Sequence, residues 1–195
     1  MKKYQIIYAD PPWAYSTSQH NGAGGTSTGG AHTHYPTATD EEICKMSVSD
    51  IADDNCLLFM WATGPKLDIA FKVGSAWGFQ YCTVGFVWQK DRDNPGTYTM
   101  SSCEYVLIFK KGTIPHPRGS RNTKQFYSSE RMEHSRKPEE IRKRIHEMFP
   151  KQTKIELFAR ARTPNLFGWD EYDGWDVFGN MIESDVDIKQ EIIKL

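Results

Sequence analysis

The 195-residue chain has no apolar run approaching the roughly 20 residues needed to span a bilayer, no CxxC pair, and almost no net charge, −1 at pH 7. The first absence excludes a helical membrane span. The amino-terminal MKKYQIIYADPPW carries two lysines, but its apolar stretch is too short for a signal peptide, so a cytoplasmic location is expected. The four cysteines (Cys44, Cys56, Cys82 and Cys103) are widely spaced. That spacing argues against a disulfide framework or a zinc site and predicts reduced, mostly buried thiols. His32 and His34 flank Thr33 near His20, but no carboxylate or cysteine stands at ligand spacing, and no metal is expected. The glycine-rich stretch GAGGTSTGGAHTH, within residues 16–34, lacks the lysine of a phosphate-binding loop and opens no evident helix. It reads as a mobile lid, because glycine-rich segments lose much entropy on ordering.

What is present describes one soluble α/β domain spanning residues 1–195. Hydrophobic residues make up 38% and charged residues 25%, enough for a full core. The small net charge hides an asymmetry: residues 110–137 hold eight basic residues and two acids, net +6, leaving −7 for the rest. A basic segment on an acidic body suits a localised polyanion contact, and from charge alone a solvated basic loop fits equally well.

Apolar patterning predicts strands at 5–9, 56–63, 79–90, 104–112 and 153–160. Thr39 with Glu42 forms a capping box that starts a short helix. A second helix is expected over 66–77, with Leu67, Ala70, Phe71 and Gly74 on one side. A third, PEEIRKRIHEMF, has Pro138 at its first position. Residues 91–99 and 112–136 read as loops. The tail repeats Gly-Trp-Asp at 168–170 and 174–176. Strands alternating with helices predict a three-layer α/β sheet.

The strand 5–9 runs directly into Asp10-Pro11-Pro12-Trp13. Two prolines remove two backbone donors and fix two φ angles, so neither strand nor helix continues. A stiff turn then presents one carboxylate, followed by the rings of Trp13 and Tyr15. Ligands of open α/β sheets bind outside the carboxyl ends of strands, which makes this stretch a candidate active site.

With YPTATDEEICKM, CLLFMWATGP, WGFQ…VWQK, CEYVLIFKKG, HSRKPEEI and TKIELFAR following in order, the DPPW sequence resembles the MT-A70 family of N6-adenine methyltransferases. The resemblance implies a Rossmann-like, three-layer fold in permuted motif order, with the catalytic strand first. It also implies S-adenosylmethionine as cofactor and a nucleic-acid substrate, with DNA favoured over RNA for so compact a chain. A homodimer is left open, and no membrane partner is implied. The alternatives are an RNA adenine methyltransferase, or a non-catalytic nucleic-acid-binding subunit of the same fold that supports an active partner.

The resemblance also assigns residues. Asp10, Pro11, Pro12 and Trp13 form the catalytic signature, with Asp10 beside the cofactor as well. The Asp10 carboxylate and a backbone carbonyl, that of Pro11, would accept from the two hydrogens of the adenine amino group. The prolines hold that geometry in advance. Lys137, Arg160 and Asn180 match cofactor-contacting positions, Asn180 toward the ribose hydroxyls. Lys137 and Glu104 match positions near the target base. Trp13, with Tyr15 or Tyr35, would stack on an unpaired base. After ELFAR many relatives carry histidine and asparagine. Here Ala161, Arg162 and Thr163 stand instead, with Arg162 as the substitute cofactor contact. The loops 16–34 and 112–136 would face the target.

Overall fold

The computed structural model describes residues 2–15, 38–96, 98–130, 136–161, 170 and 172–188. Their strands are β1 (Tyr4–Ala9), β2 (Ala52–Thr63), β3 (Gln80–Pro95), β4 (Met100–Lys111), β5 (Phe126–Ser129), β6 (Lys154–Leu157) and β7 (Asp176–Phe178). The helices are α1 (Asp40–Lys45), α2 (Leu67–Ala76) and α3 (Glu139–Met148). All seven strands form one sheet in the order β5-β3-β4-β2-β1-β6-β7. Six are mutually parallel, and β4 alone runs antiparallel, between β2 and β3. Six strands therefore end at one edge of the sheet, and β4 begins there.

β1 lies inside the sheet between β2 and β6, and its residues are apolar on both faces, as a strand flanked by parallel neighbours requires. Side chains alternate across the sheet with period two. Ile7 and Ala9 join the core under α1 and α2, while Ile6 and Tyr8 join the core under α3. β2 repeats the division, with Leu58, Met60 and Ala62 on the first face and Leu57, Phe59 and Trp61 on the second.

The helices are fastened by local chemistry. Thr39 and Glu42 close the expected capping box on α1. Trp77, fully buried, donates its indole N–H to Ile43 O at 2.8 Å and ties the end of α2 to α1. Helix α3 buries Ile141 and Ile145, with Phe149 just beyond, along one stripe. Lys154 Nζ donates to the carbonyls of Phe149, Pro150 and Gln152 at 3.2, 3.2 and 2.8 Å, satisfying groups that the end of α3 leaves open. Pro138 sits one position earlier than expected, as the N-cap of α3.

Several boundaries differ from the sequence reading. β3 continues through Pro95 and pairs as far as Asn94↔Ser101 and Pro95↔Met100, so the loop expected at 91–99 is mostly hairpin. Its polar residues are compatible with a ribbon solvated on both faces. Inside the basic segment, Phe126–Ser129 pairs with Val87–Lys90 as the edge strand β5. Four residues are too few to show a period. β6 ends at Leu157, not at residue 160, because Phe158 adopts φ 63° and turns the chain. On α2 the buried stripe is Ala70, Val73 and Gly74, while Phe71 is exposed with its ring edge-on to Tyr81. Of the cysteines only Cys56 is buried; Cys44 and Cys103 are half-buried and Cys82 is exposed.

The turn after β7 presses against the chain leaving β6. Ala159 N donates to Phe178 O at 3.0 Å. A Cβ added to Gly179 would lie 2.3 Å from Ala159 O and 2.8 Å from Ala159 N. Both obstacles are backbone and cannot swing aside. Gly179→Ala is therefore expected to cost about 1–3 kcal/mol, at about 2–4 °C of melting temperature per kcal/mol for a chain of this size. Thermal unfolding followed by circular dichroism checks this, and an unchanged midpoint would show that the contact is looser.

Candidate active site

Asp10 follows the last residue of β1, at the edge where the parallel strands end. Trp13 N donates to Pro11 O at 2.8 Å, and Ala38 N donates to Pro12 O at 3.1 Å. These bonds lock the turn that the prolines begin. The tight turn sends the Trp13 indole back beneath the sheet, where its N–H donates to Trp61 O at 3.2 Å. Trp13 is only 5% exposed and belongs to the core under α1 and α2. The expectation of an open stacking surface is thus corrected: a ring spent on core packing offers no free face. Tyr15 is half-buried, its hydroxyl 2.8 Å from Thr63 Oγ1, and burial pushes its pKa up to about 12.

On the α3 face, four charges meet. The period-two rule places them there: Asp10, Glu104 and Lys90 each stand two residues along a strand from a buried residue of that core, Tyr8, Val106 and Trp88. Lys137, just ahead of α3, supplies the fourth. Lys137 Nζ is 3.0 Å from Asp10 Oδ1 and 3.4 Å from Glu104 Oε2. Glu104 Oε1 is 3.2 Å from Lys90 Nζ. The Lys137 ammonium lies over the Trp61 ring, 5.6 Å from its centroid, and Trp61 Nε1 donates to Tyr8 OH at 2.6 Å.

The protonation states follow from this row. Burial pushes the Asp10 carboxyl above the ordinary aspartate value, against the opposing pull of Lys137. Burial acts upward on Glu104 too, but Lys137 and Lys90 outweigh it and hold its carboxyl below the ordinary glutamate value. For Lys137 burial opposes the charge, and the two carboxylates overcome it, so its pKa rises.

Beside this row lies a cavity of ≈ 270 Å³. Asp10 and Tyr8 line it from β1, and Glu156, Phe158 and Arg160 from β6 and the turn after it. Chain connectivity moves outward from β1 in one direction to β2 and in the other to β6, so the cavity opens at the topological switch point. Arg136 and Lys137 form its other wall with Glu139. Arg142, on α3, is fixed by Glu156 Oε2 at 2.6 Å and by the Tyr172 ring, 4.5 Å from its guanidinium. The Tyr172 hydroxyl donates to Arg160 O at 3.0 Å and steadies that segment.

Of the residues expected from sequence, Asp10, Glu104 and Lys137 are in one contact network, with Arg160 on the same cavity. Pro11 is buried and Pro12 half-buried in the turn. Asn180 is exposed in the turn after β7, next to Met181, which does line the cavity. Tyr35, Arg162 and the loop 16–34 with its three histidines lie outside the described residues. Among the described residues no group of three His, Cys, Asp or Glu could hold a metal, and no helix is long and apolar enough to cross a membrane. Among the described residues the basic segment is not one patch. Lys110 lies at the opposite edge of the sheet, paired with Gln80, Arg118 packs over Phe149, and Arg136 pairs with Glu139. Sequence reasoning missed Lys90, Tyr8 and Trp61. Tyr8 and Trp61 lie near the carboxyl ends of β1 and β2, a signal available in the sequence, whereas Lys90 stands within β3.

The MT-A70 family model matches residues 4–171. The chain is 45% identical over 193 residues to the Type II methyltransferase M.MunI of Mycoplasma sp, covering 93% of this chain and 81% of that protein. It is 26% identical to a putative N(6)-adenosine-methyltransferase MT-A70-like protein of Medicago truncatula, covering 92% of this chain and 26% of that protein. It is also 26% identical to the N(6)-adenosine-methyltransferase subunit METTL3 of Danio rerio, covering 93% and 28% respectively. Against these longer proteins the chain spans only about a quarter of the length.

Glu104 serves two lysines at once, so neutralising it strands buried positive charge. Glu104→Gln is expected to cost about 3–5 kcal/mol, read from urea denaturation at neutral pH. The sign with pH follows from the lowered pKa. The Glu104 contribution is fully present above the unfolded glutamate value and disappears as pH falls through the folded one. The gap between wild type and Glu104→Gln should therefore close on acidification; a gap constant with pH would show that the charge is not responsible.

Proposed function

The chain is a methyltransferase of the MT-A70 family, and from that premise we propose that it transfers a methyl group from S-adenosylmethionine to N6 of adenine in DNA. The observation that carries this reading is the placement of one carboxylate, Asp10, between two chemically different neighbourhoods. On the β6 side is the cavity with Arg160, Arg136 and Lys137. On the β4 side is Glu104, reached through Lys137. The first suits the zwitterionic amino-acid end of the cofactor, with the cations toward its carboxylate and Glu139 toward its ammonium. The second suits the target base. Residues 1–195 act as one methyltransferase domain in this reading.

When bound, the cofactor supplies an electrophilic methyl group carried on a positively charged sulfur. Everything else falls to the chain. The lone pair of the adenine amino nitrogen is delocalised into the ring, and acceptors at both amino hydrogens draw the nitrogen toward a more nucleophilic shape. Asp10 offers one acceptor. Lys137 already holds Oδ1 and opposes the upward push of burial on the carboxyl, leaving Oδ2 for the amino hydrogen. Pro11 O is the second, its carbonyl fixed by the Trp13 N–H and still having a lone pair to accept with. Asp10 then takes the proton that the amino group must shed, a task for which a raised pKa is suited. We assign Arg160 and Arg162 to the cofactor carboxylate and Asn180 to its ribose hydroxyls. Tyr15 and Tyr35 contact the base, which must leave a duplex to reach such a site. DNA is preferred because similarity covers most of a Type II methyltransferase but only a quarter of the N6-adenosine enzymes.

Incubation with methyl-labelled cofactor and separate DNA and RNA pools, followed by identification of the modified base, tests this directly. Label in RNA alone would replace the DNA assignment. Absence of cofactor binding, alone or with DNA, would favour a non-catalytic nucleic-acid-binding subunit. Asp10→Ala is expected to lower turnover by about 10²–10³-fold or more, with calorimetry showing a much smaller change in cofactor affinity. Turnover of the wild type should fall on the acid side as Asp10 protonates, with a midpoint above the ordinary aspartate value.

A further inference from the structure

We propose that Lys90 is a positioning residue of the methyl-transfer site: it holds Glu104 so that Lys137 stays shared between Glu104 and Asp10. The inference rests on the assignment of Asp10 and Lys137 to the reacting end of the site. Lys90 lies on β3, outside the cavity lining, at the end of the VWQK stretch. It is only 8% exposed, which is unusual for a lysine.

A buried ammonium far from any ligand is a costly way to fill space. A methionine would fill the same volume without that cost. The geometry shows what Lys90 does instead. Its Nζ stands 3.2 Å from Glu104 Oε1, while the other oxygen, Oε2, faces Lys137 Nζ at 3.4 Å. Glu104 thereby has both oxygens engaged by different cations, and its rotamer is fixed from two sides. Lys137, 3.0 Å from Asp10 on its other side, cannot collapse onto Asp10 without leaving Glu104. The alternating row Lys90, Glu104, Lys137, Asp10 carries no net charge and joins β3, β4, the approach to α3, and β1.

Without Lys90, Glu104 loses the cation on Oε1. It becomes easier to protonate and freer to rotate, and its hold on Lys137 weakens. Lys137 then pairs more tightly with Asp10 and competes with the amino hydrogen for that carboxylate. The other titratable groups facing the row are Tyr8 from β1, Tyr15 beyond the proline turn, and Arg160 beyond β6. Tyr8 and Tyr15 both stand above the ordinary tyrosine value and stay neutral, and Arg160 is common to all variants.

The test uses Lys90→Met and Lys90→Arg in the full chain. Carboxyl titration by ¹³C NMR, which needs no substrate, should move the Glu104 midpoint upward in Lys90→Met and leave it near wild type in Lys90→Arg. In steady state, Lys90→Met should lose on the order of tenfold in kcat, with KM for the cofactor nearly unchanged. The acid limb of its pH–rate profile, which follows Asp10, should shift to lower pH as Lys137 closes on that carboxylate, and Lys90→Arg should restore the limb. In a Glu104→Gln background the same substitution should have no further effect on kcat. A lowered melting temperature with an unmoved Glu104 midpoint and acid limb would reduce Lys90 to a packing residue and overturn the proposal. If the wild type methylates neither DNA nor RNA but the Glu104 midpoint still moves, the functional reading fails while the hold of Lys90 on Glu104 stands.

Discussion

Lys137 stands between two carboxylates, 3.0 Å from Asp10 and 3.4 Å from Glu104, and the surrounding architecture keeps that cation where water scarcely reaches. An ammonium so placed is stable only while both anions stay within reach. Each anion comes from a different strand, and the cation from a third segment. The contact therefore requires β1, β4 and the approach to α3 to be correctly assembled. Its floor is the Trp61 ring, whose indole N–H donates to Tyr8 OH, while Trp13 on the other face of the sheet donates to the Trp61 backbone carbonyl.

The antiparallel setting of β4 makes this possible. Were β4 parallel to its neighbours, Glu104 near its start would lie at the far edge, four or more residues' rise from Asp10. Running against the others, β4 brings Glu104 to the place where β1 and β2 finish, and Thr63 and Trp88 pair beside it. The switch point between β1 and β6 then opens the cavity on the other side of Asp10. Asp10 stands between that cavity and Glu104 because β1 lies between β2 and β6.

Much of this was legible in the chain. The apolar core strands, the capping box at Thr39 and Glu42, and the proline turn after β1 follow from local rules that need no tertiary information. The resemblance singled out Asp10, Glu104 and Lys137, and the fold brings the three into contact. What local rules missed were features whose cause is a neighbour. Residues 91–95 are polar enough for a loop but extend because β4 offers them partners. Phe126–Ser129 is a strand because β3 has an open edge. Trp13 read as a free ring because its burial depends on β2, nearly fifty residues away.

The sequence by itself determined which residue types stand at strand ends, since period-two alternation and proline stereochemistry act within a few residues. It thereby put Asp10 beyond β1 and a basic residue ahead of α3. Only the tertiary structure decided that Lys90 belongs with them, that Trp13 does not face outward, and that the described part of the basic segment disperses rather than forming one patch. Those outcomes depend on strand order and direction. They arise from contacts between residues far apart in the chain, and no local pattern encodes the distance between two ends that the fold brings together.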